Sequence, residues 1–229
     1  MKYVIMCGGT YNNFKTPKQL TKVNNEPLVL RTIRLLKTMG ISCKDILITS
    51  NNPIFDNCGV DRLENKANTF RQNAPWSNMR GYWVDAFYPF DEPVTYLFGD
   101  VFYSHNLLRT IISSTTDDVL FFGSNPLVNT NGINMKKWEE PFCFKVVNQK
   151  HFREAIKEVK TLFKKGLFKR HPIAWELYRV LNNYPINEKI FDKNFVCVND
   201  ISTDVDKPED GAFIEEMLEK YGEELKEDK

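Results

Sequence analysis

Short apolar runs separated by helix-period segments limit what this chain can fold into. The runs at 3–6, 46–49, 94–98, 119–122, 142–147 and 195–198 are rich in β-branched and aromatic residues and bounded by turn formers, the pattern of strands. Between the first two, Leu28, Ile33, Leu36 and Met39 keep one helical stripe, Pro27 suits a first turn and Gly40 closes the end. Ser104 can cap a helix carrying Leu107, Leu108, Ile111 and Ile112. Further helices are predicted over about 151–163 and 172–181. A terminal helix has Phe213, Ile214, Met217, Leu218 and Tyr221 on its core side. Strand, helix, strand in this order predicts an α/β fold, a Rossmann-like three-layer sandwich with a central mixed, mostly parallel sheet. Such sheets bind ligands at the carboxyl ends of their strands. Residues 51–93 are the least regular and read as a long, partly helical excursion over that binding face.

Composition narrows the function classes. A chain of 229 residues with 17 Phe and 9 Tyr can bury a sizeable core, and a single domain over 1–229 is expected. The net charge of +1 supplies no bulk field for nucleic acid or membrane. The five cysteines are scattered, with no Cys-x-x-Cys pair, so neither a zinc site nor a disulfide framework is implied. Met1-Lys2-Tyr3 is no secretory n-region and no apolar run approaches the length of a membrane span, which makes cytoplasm the expected compartment. The three histidines, His105, His151 and His171, form no convincing nucleophile–base pair.

Three constellations carry chemistry. The run 3–6 opens into Cys7-Gly8-Gly9-Thr10, and a polar loop then reaches Pro17-Lys18-Gln19-Leu20. Glycines let backbone N–H groups approach a phosphate, and a lysine held by a rigid proline adds a point charge. The same residues also read as a plain strand-to-loop turn with a solvated lysine. There is no Walker A motif and no dinucleotide fingerprint. Phe98-Gly99-Asp100 ends another strand, where a carboxylate can reach a metal in the crevice or simply close a turn. In Asp204-Val205-Asp206-Lys207-Pro208-Glu209-Asp210, Asp206 can cap the terminal helix with Glu209 as its capping-box partner. It can equally serve as a second magnesium ligand opposite Asp100. Magnesium characteristically takes one or two carboxylates plus substrate phosphates.

These three pieces, in this order, give the chain its resemblance to the nucleotidyltransferases of the glycosyltransferase-A-like fold (nucleotide-diphospho-sugar transferase type). That family includes sugar-phosphate nucleotidylyltransferases, the molybdenum-cofactor guanylyltransferase and the cytidylyltransferases for choline, ribitol and methylerythritol phosphates. Its Gly-rich loop, Pro-Lys-Leu element and "Glu-Pro-Leu" helix start match Gly8-Gly9-Thr10, Pro17-Lys18-Gln19-Leu20 and Glu26-Pro27-Leu28. Its closing "Ile-Asp-Thr-Pro-Glu-Asp" element matches 205–210. The wording is closest to the cytidylyltransferases that form CDP-alcohols.

The resemblance implies transfer of a nucleotidyl group from CTP, or another nucleoside triphosphate, to a phosphorylated alcohol, polyol or sugar. Pyrophosphate leaves, and the product is a CDP-activated precursor for capsule or other surface polysaccharide. It implies Mg2+ held by Asp100 and Asp206 and a catalytic Lys18. Nucleotide contacts would come from Gly8, Gly9, Thr10, Tyr11, Lys18 and Gly99, with Asn73, Ser77 and Asn78 at the base. Tyr11 stands where the family carries an arginine, and Lys15 could replace it. No nucleic acid or membrane partner is implied, and a homodimer is allowed. Three rivals remain: a hexose 1-phosphate nucleotidylyltransferase using another base, a glycosyltransferase suggested by Asp204-x-Asp206, and a non-catalytic nucleotide-binding regulator. The Asp-x-Asp of a glycosyltransferase normally lies mid-chain, with an acceptor domain after it.

Overall fold

A computed structural model describes residues 1–8, 14–65, 83–125, 136 and 138–222. Its centre is a seven-stranded sheet. Strand β1 is Lys2–Met6, and two short strands, β2 (Lys22–Val23) and β3 (Glu26–Pro27), form a separate antiparallel pair. The sheet continues with β4 (Ile46–Thr49), β5 (Asp61–Leu63) and β6 (Val94–Phe98). Strand β7 (Val101–Phe102) leaves the sheet. Strands β8 (Val119–Ser124), β9 (Glu140–Val146) and β10 (Phe195–Cys197) complete the sheet, and β11 (Thr203–Asp204) pairs with β7.

The sheet order is β10-β8-β9-β6-β1-β4-β5. All neighbours run parallel except β9, which is antiparallel to both β6 and β8. The mixed, mostly parallel sheet expected from the sequence is therefore present. Strands β4 and β6 are buried along their whole length and β1 along all but its first residue, as expected for a sheet covered on both faces. The helices α1 (Leu28–Thr38) and α2 (His105–Ser113) pack together, as do α3 (Gln149–Lys164) and α4 (Ala174–Leu181). Terminal helix α5 (Asp210–Tyr221) lies against β2. Among the described residues no helix is long and apolar enough to cross a membrane, and all five cysteines are free thiols.

Aromatic packing accounts for much of the core. Phe121 stacks on Phe144 at 4.4 Å between ring centroids and meets Trp175 edge-on at 5.0 Å, geometries that favour the ring quadrupoles. Trp83 joins the same core edge-on to Phe87 and Phe98.

Two local expectations are revised. The stretch 51–93 is not simply an excursion, because residues 61–63 extend the sheet edge beside β4. Nor does Asp206 cap the last helix. Its N–H and that of Lys207 both donate to Asp210 Oδ2, at 2.7 and 2.9 Å, and α5 begins at Asp210 itself. The polarity of the cap is reversed: Asp210 ties down the turn, and the Asp206 side chain is left facing the sheet edge. Ser104 does cap α2, its Oγ accepting from Leu107 N at 2.9 Å.

Strand β1 has β4 on one side and β6 on the other, so the chain reverses its direction of winding there. That reversal opens a crevice beyond the carboxyl ends of β1 and β6. The crossing is tight. A Cβ on Gly99 would stand 2.6 Å from the Met6 carbonyl oxygen and 2.9 Å from Cys7 Sγ. Gly99 is thus required by packing, whatever else passes over it. The mutation Gly99→Ala should destabilise the protein by roughly 1–3 kcal/mol, read as a lower urea midpoint with an unchanged slope. An unaltered midpoint would show that β1 and β6 part more easily than the geometry indicates.

Candidate active site

Lys18 and Asp100 meet at the carboxyl ends of β1 and β6. Pro17 starts a short 3₁₀ turn at Lys18–Leu20, closed by Leu20 N on Pro17 O at 2.8 Å. Gln19 Nε2 donates to Gly8 O at 3.2 Å and ties this turn to the end of the opening strand. Lys18 is consequently only 5% exposed. Its ammonium pairs with Asp100 and lies 3.9 Å from Asp206 Oδ1. The structure therefore brings Lys18, Asp100 and Asp206 together, as the sequence reading required. Gly8 and Gly99 flank them. Lys15, the suggested stand-in for the loop arginine, is exposed beside this turn. Gly9, Thr10, Tyr11, Asn73, Ser77 and Asn78 lie outside the described residues.

Asp100 and Asp206 meet because of a short strap. Strand β11 pairs antiparallel with β7, Asp204 opposite Val101, and Val205 N donates to Asp100 O at 2.8 Å. The strap is pinned from below by a buried polar network. Ser104 Oγ donates to Asp200 Oδ2 at 2.5 Å, Ser202 N donates to Asp200 Oδ1 at 2.7 Å, and Ser104 N donates to Ser202 Oγ at 2.9 Å. Apolar contact completes the hold: Val23, Leu28, Phe102, Ile201, Val205 and Ile214 form a small core of their own. Arg31 reaches from α1, donating to Tyr103 O at 2.5 Å with its guanidinium 4.2 Å over the Phe102 ring.

A second cation, Lys136, and two further carboxyl groups, Glu140 and Asp204, complete the site; sequence reasoning assigned neither Lys136 nor Glu140 and named Asp204 only for the glycosyltransferase rival. Lys136 Nζ lies 2.7 Å from Glu140 Oε1 and 3.0 Å from Asp206 Oδ2, and it also pairs with Asp204. Glu140 starts β9 and is 3% exposed. Because β9 runs against its neighbours, its first residue sits at the edge where β6 and β8 end. A Cβ on Gly123 would stand 2.6 Å from the Glu140 carbonyl oxygen, so β8 and β9 approach closely there, at a register shift between Phe122 and Gly123. Glu140 Oε2 accepts from Thr203 Oγ1 at 2.9 Å and from Asp204 N at 3.3 Å, which joins it to the strap.

Four carboxyl groups thus share two ammonium groups. Burial, and then the nearby Asp204, push the Glu140 carboxyl up to about 9. Burial acts to lower Lys136, but Asp204 and Glu140 outweigh it and hold the ammonium above its ordinary range. Burial also opposes ionisation of Asp206, yet Lys136 and then Lys18 keep its carboxyl below the usual value. Oxygens of Glu140, Asp204 and Asp206 all lie within 4.8 Å of one another. Hard oxygens so grouped suit Mg2+ once Glu140 gives up its proton as the ion enters, and the position already accommodates a positive charge.

Among solved structures, the chain is similar to CTP:phosphocholine cytidylyltransferase from Streptococcus pneumoniae, at 14% identity over 95% of this chain and 98% of that one, TM-score 0.51. It is also similar to 4-diphosphocytidyl-2C-methyl-D-erythritol synthase from Anaerococcus prevotii, at 12% identity over 95% and 97%, TM-score 0.52. A third is the inositol-1-phosphate CTP transferase from T. maritima, at 14% identity over 95% and 96%, TM-score 0.51. At these identities the likeness establishes the fold, the Rossmann-like α/β sandwich of nucleotidyltransferases. No protein-family model and no curated protein matches the sequence.

The Glu140 shift has a consequence for stability. With a folded value of about 9 against an ordinary 4.5, the folded state binds more protons than the unfolded state between those pH values. Stability then falls as pH rises through that window. Glutamine cannot titrate, so Glu140→Gln should gain stability relative to wild type from pH 5 to pH 9. Urea unfolding at pH 5, 7 and 9 measures the difference, and parallel pH profiles would refute the assignment.

Proposed function

We propose that this chain is a nucleotidyltransferase. It joins a nucleoside triphosphate, CTP by preference, to a phosphorylated small alcohol or polyol and releases pyrophosphate. The observation that carries the reading is the placement of Lys18 between Asp100 and Asp206 at the winding reversal of the sheet. A lysine and two carboxylates at that edge form the cation half of a triphosphate site. The preference for CTP is supported by the fold relatives, two of which are named for CTP and the third for a diphosphocytidyl product.

In this reading an oxygen of the acceptor phosphate attacks the α-phosphorus in line. That oxygen is already ionised near neutral pH, so no general base is needed. This accords with the histidines. His151 is engaged by Asp118 at 2.8 Å, and His171 is buried against Phe163. Catalysis then rests on positioning and charge. Lys18 moves from Asp100 to the phosphates, and its proline-started turn limits how far it can wander. Asp100 and Asp206, with Glu140 and Asp204 beside them, would hold Mg2+, which when bound neutralises phosphate charge. Phosphate contacts from Gly8, Gly9, Thr10, Tyr11 and Gly99, base reading by Asn73, Ser77 and Asn78, and a single domain over 1–229 belong to the same proposal. So does a role in supplying CDP-activated units for surface polysaccharide.

A pyrophosphate-release screen tests it, with four nucleoside triphosphates and Mg2+ against phosphorylated alcohols and sugars. Release with CTP and a polyol or alcohol phosphate is expected. Release only with a hexose 1-phosphate and another nucleotide would move the substrate class, and release from no pair would reject the enzyme reading. Lys18→Met and Asp100→Asn should each lower kcat about 10²–10³-fold while circular dichroism stays unchanged. Wild-type turnover in either folded variant would remove Lys18 or Asp100 from the mechanism.

A further inference from the structure

Lys136 is a cation at this edge that the proposed chemistry does not use. Its Nζ rests on three carboxyl groups at once, 2.7 Å from Glu140 Oε1, 3.0 Å from Asp206 Oδ2, and paired with Asp204. It also donates to the Asp204 carbonyl oxygen at 3.1 Å. These are the same three carboxyl groups that offer oxygens clustered tightly enough for a divalent ion. An ion among those three carboxyl groups competes with the ammonium for the same negative charge. Asp206 links the two halves of the site: one oxygen faces Lys18 and the other faces Lys136.

We propose that Lys136 is a built-in counter-cation that holds the metal carboxylates in place and that a divalent ion must displace in order to bind. The inference rests on the nucleotidyltransferase reading for the presence of that ion. Displacement exchanges one cation for another, so half-buried Asp204 and exposed Asp206 keep a positive partner throughout. It also frees an ammonium group beside the crevice, in position to meet a phosphate. Lys136 is thus a positioning residue for the metal ligands, with a second role open to it once released.

Trp138 provides a reporter. It is 55% exposed, and Lys136 Nζ lies 5.8 Å from the centroid of its ring. Moving the ammonium away removes a cation from the ring's surroundings.

The test uses the full chain without nucleotide. Mn2+ binding by titration calorimetry should be roughly tenfold tighter or more in Lys136→Met than in wild type, because the competing charge is gone. Since Lys136→Met leaves the buried Glu140 without its partner and could unfold the strap, the comparison is repeated in a Glu140→Gln background. There Lys136→Met/Glu140→Gln should again bind Mn2+ more tightly than Glu140→Gln alone. In parallel, Mg2+ should change the tryptophan fluorescence of wild type but not of Lys136→Met or Trp138→Phe. Equal or weaker Mn2+ binding on removing Lys136 in both backgrounds overturns the proposal, as does a wild-type fluorescence indifferent to Mg2+. Neither readout needs turnover. Tightened Mn2+ binding with no pyrophosphate release from wild type would keep this inference and reject the enzyme reading. Release with unchanged Mn2+ affinity would do the reverse.

Discussion

The two-residue pairing of β7 with β11 is the contact on which the site depends. It is short, and its partners come from distant parts of the chain, so closing that loop carries an entropic cost that two ladder positions alone would not repay. The remainder comes from what lies under the strap. The Ser104–Asp200–Ser202 network leaves its buried polar groups paired, and the small core around Phe102, Val205 and Ile214 removes apolar surface from water. Ser104 serves twice, capping α2 through the same Oγ that holds Asp200. The end of β6, the start of α2 and the strap are therefore joined by hydrogen bonds and a shared core, with Asp100 just before β7 and Asp206 just after β11.

That body carries more carboxyl groups than its burial favours. Asp100, Glu140, Asp204 and Asp206 crowd one edge, and the fold tolerates them because Lys18 and Lys136 stand among them. Local consistency is sacrificed at this edge while the rest of the sheet is apolar and well packed, the usual signature of a functional region. The shifts follow from it. Glu140, the most deeply buried of the four, keeps its proton far above its ordinary range. Asp206, the most exposed of the group beside Lys136, stays ionised. Neighbouring carboxyl groups pushed in opposite directions share one cation more easily than equals would.

The sheet was legible because buried strands and amphipathic helices leave different periods in the sequence, and each of the six apolar runs falls on a strand of the sheet, those ending at Val147 and Val198 overrunning it by one residue. Lys18, Asp100 and Asp206 were legible because each closes a strand or turn in a recognisable pattern. Strand β5 was missed because Asp61-Arg62-Leu63 is a polar edge with no apolar alternation to betray it. Glu140 and Lys136 were missed for a different reason. A carboxylate at the start of a strand reaches the ligand edge only if that strand runs backwards, and strand direction leaves no trace in local composition. The Asp206 cap was misassigned because Asp206, Pro208 and Glu209 fit a capping pattern, whereas the helix starts later, at Asp210, with Glu209 at its N-cap and no side-chain cap.

The glycines at this edge show why pattern and position have to be separated. Gly99 looks like a residue kept small for a phosphate, yet the backbone of β1 and the side chain of Cys7 already fill the space a Cβ would take. Gly123 is not in any loop motif, yet it does the same for β8 and β9, letting the Glu140 backbone close in to 2.6 Å of where its Cβ would be. Each glycine sits beside the carboxyl group whose placement it permits, Asp100 in one case and Glu140 in the other. A larger residue at either would push a strand end outward and move a charged group with it. The spacing of charges in the crevice is thus set by backbone contact between neighbouring strands, and the lysines then settle into the field that this spacing creates.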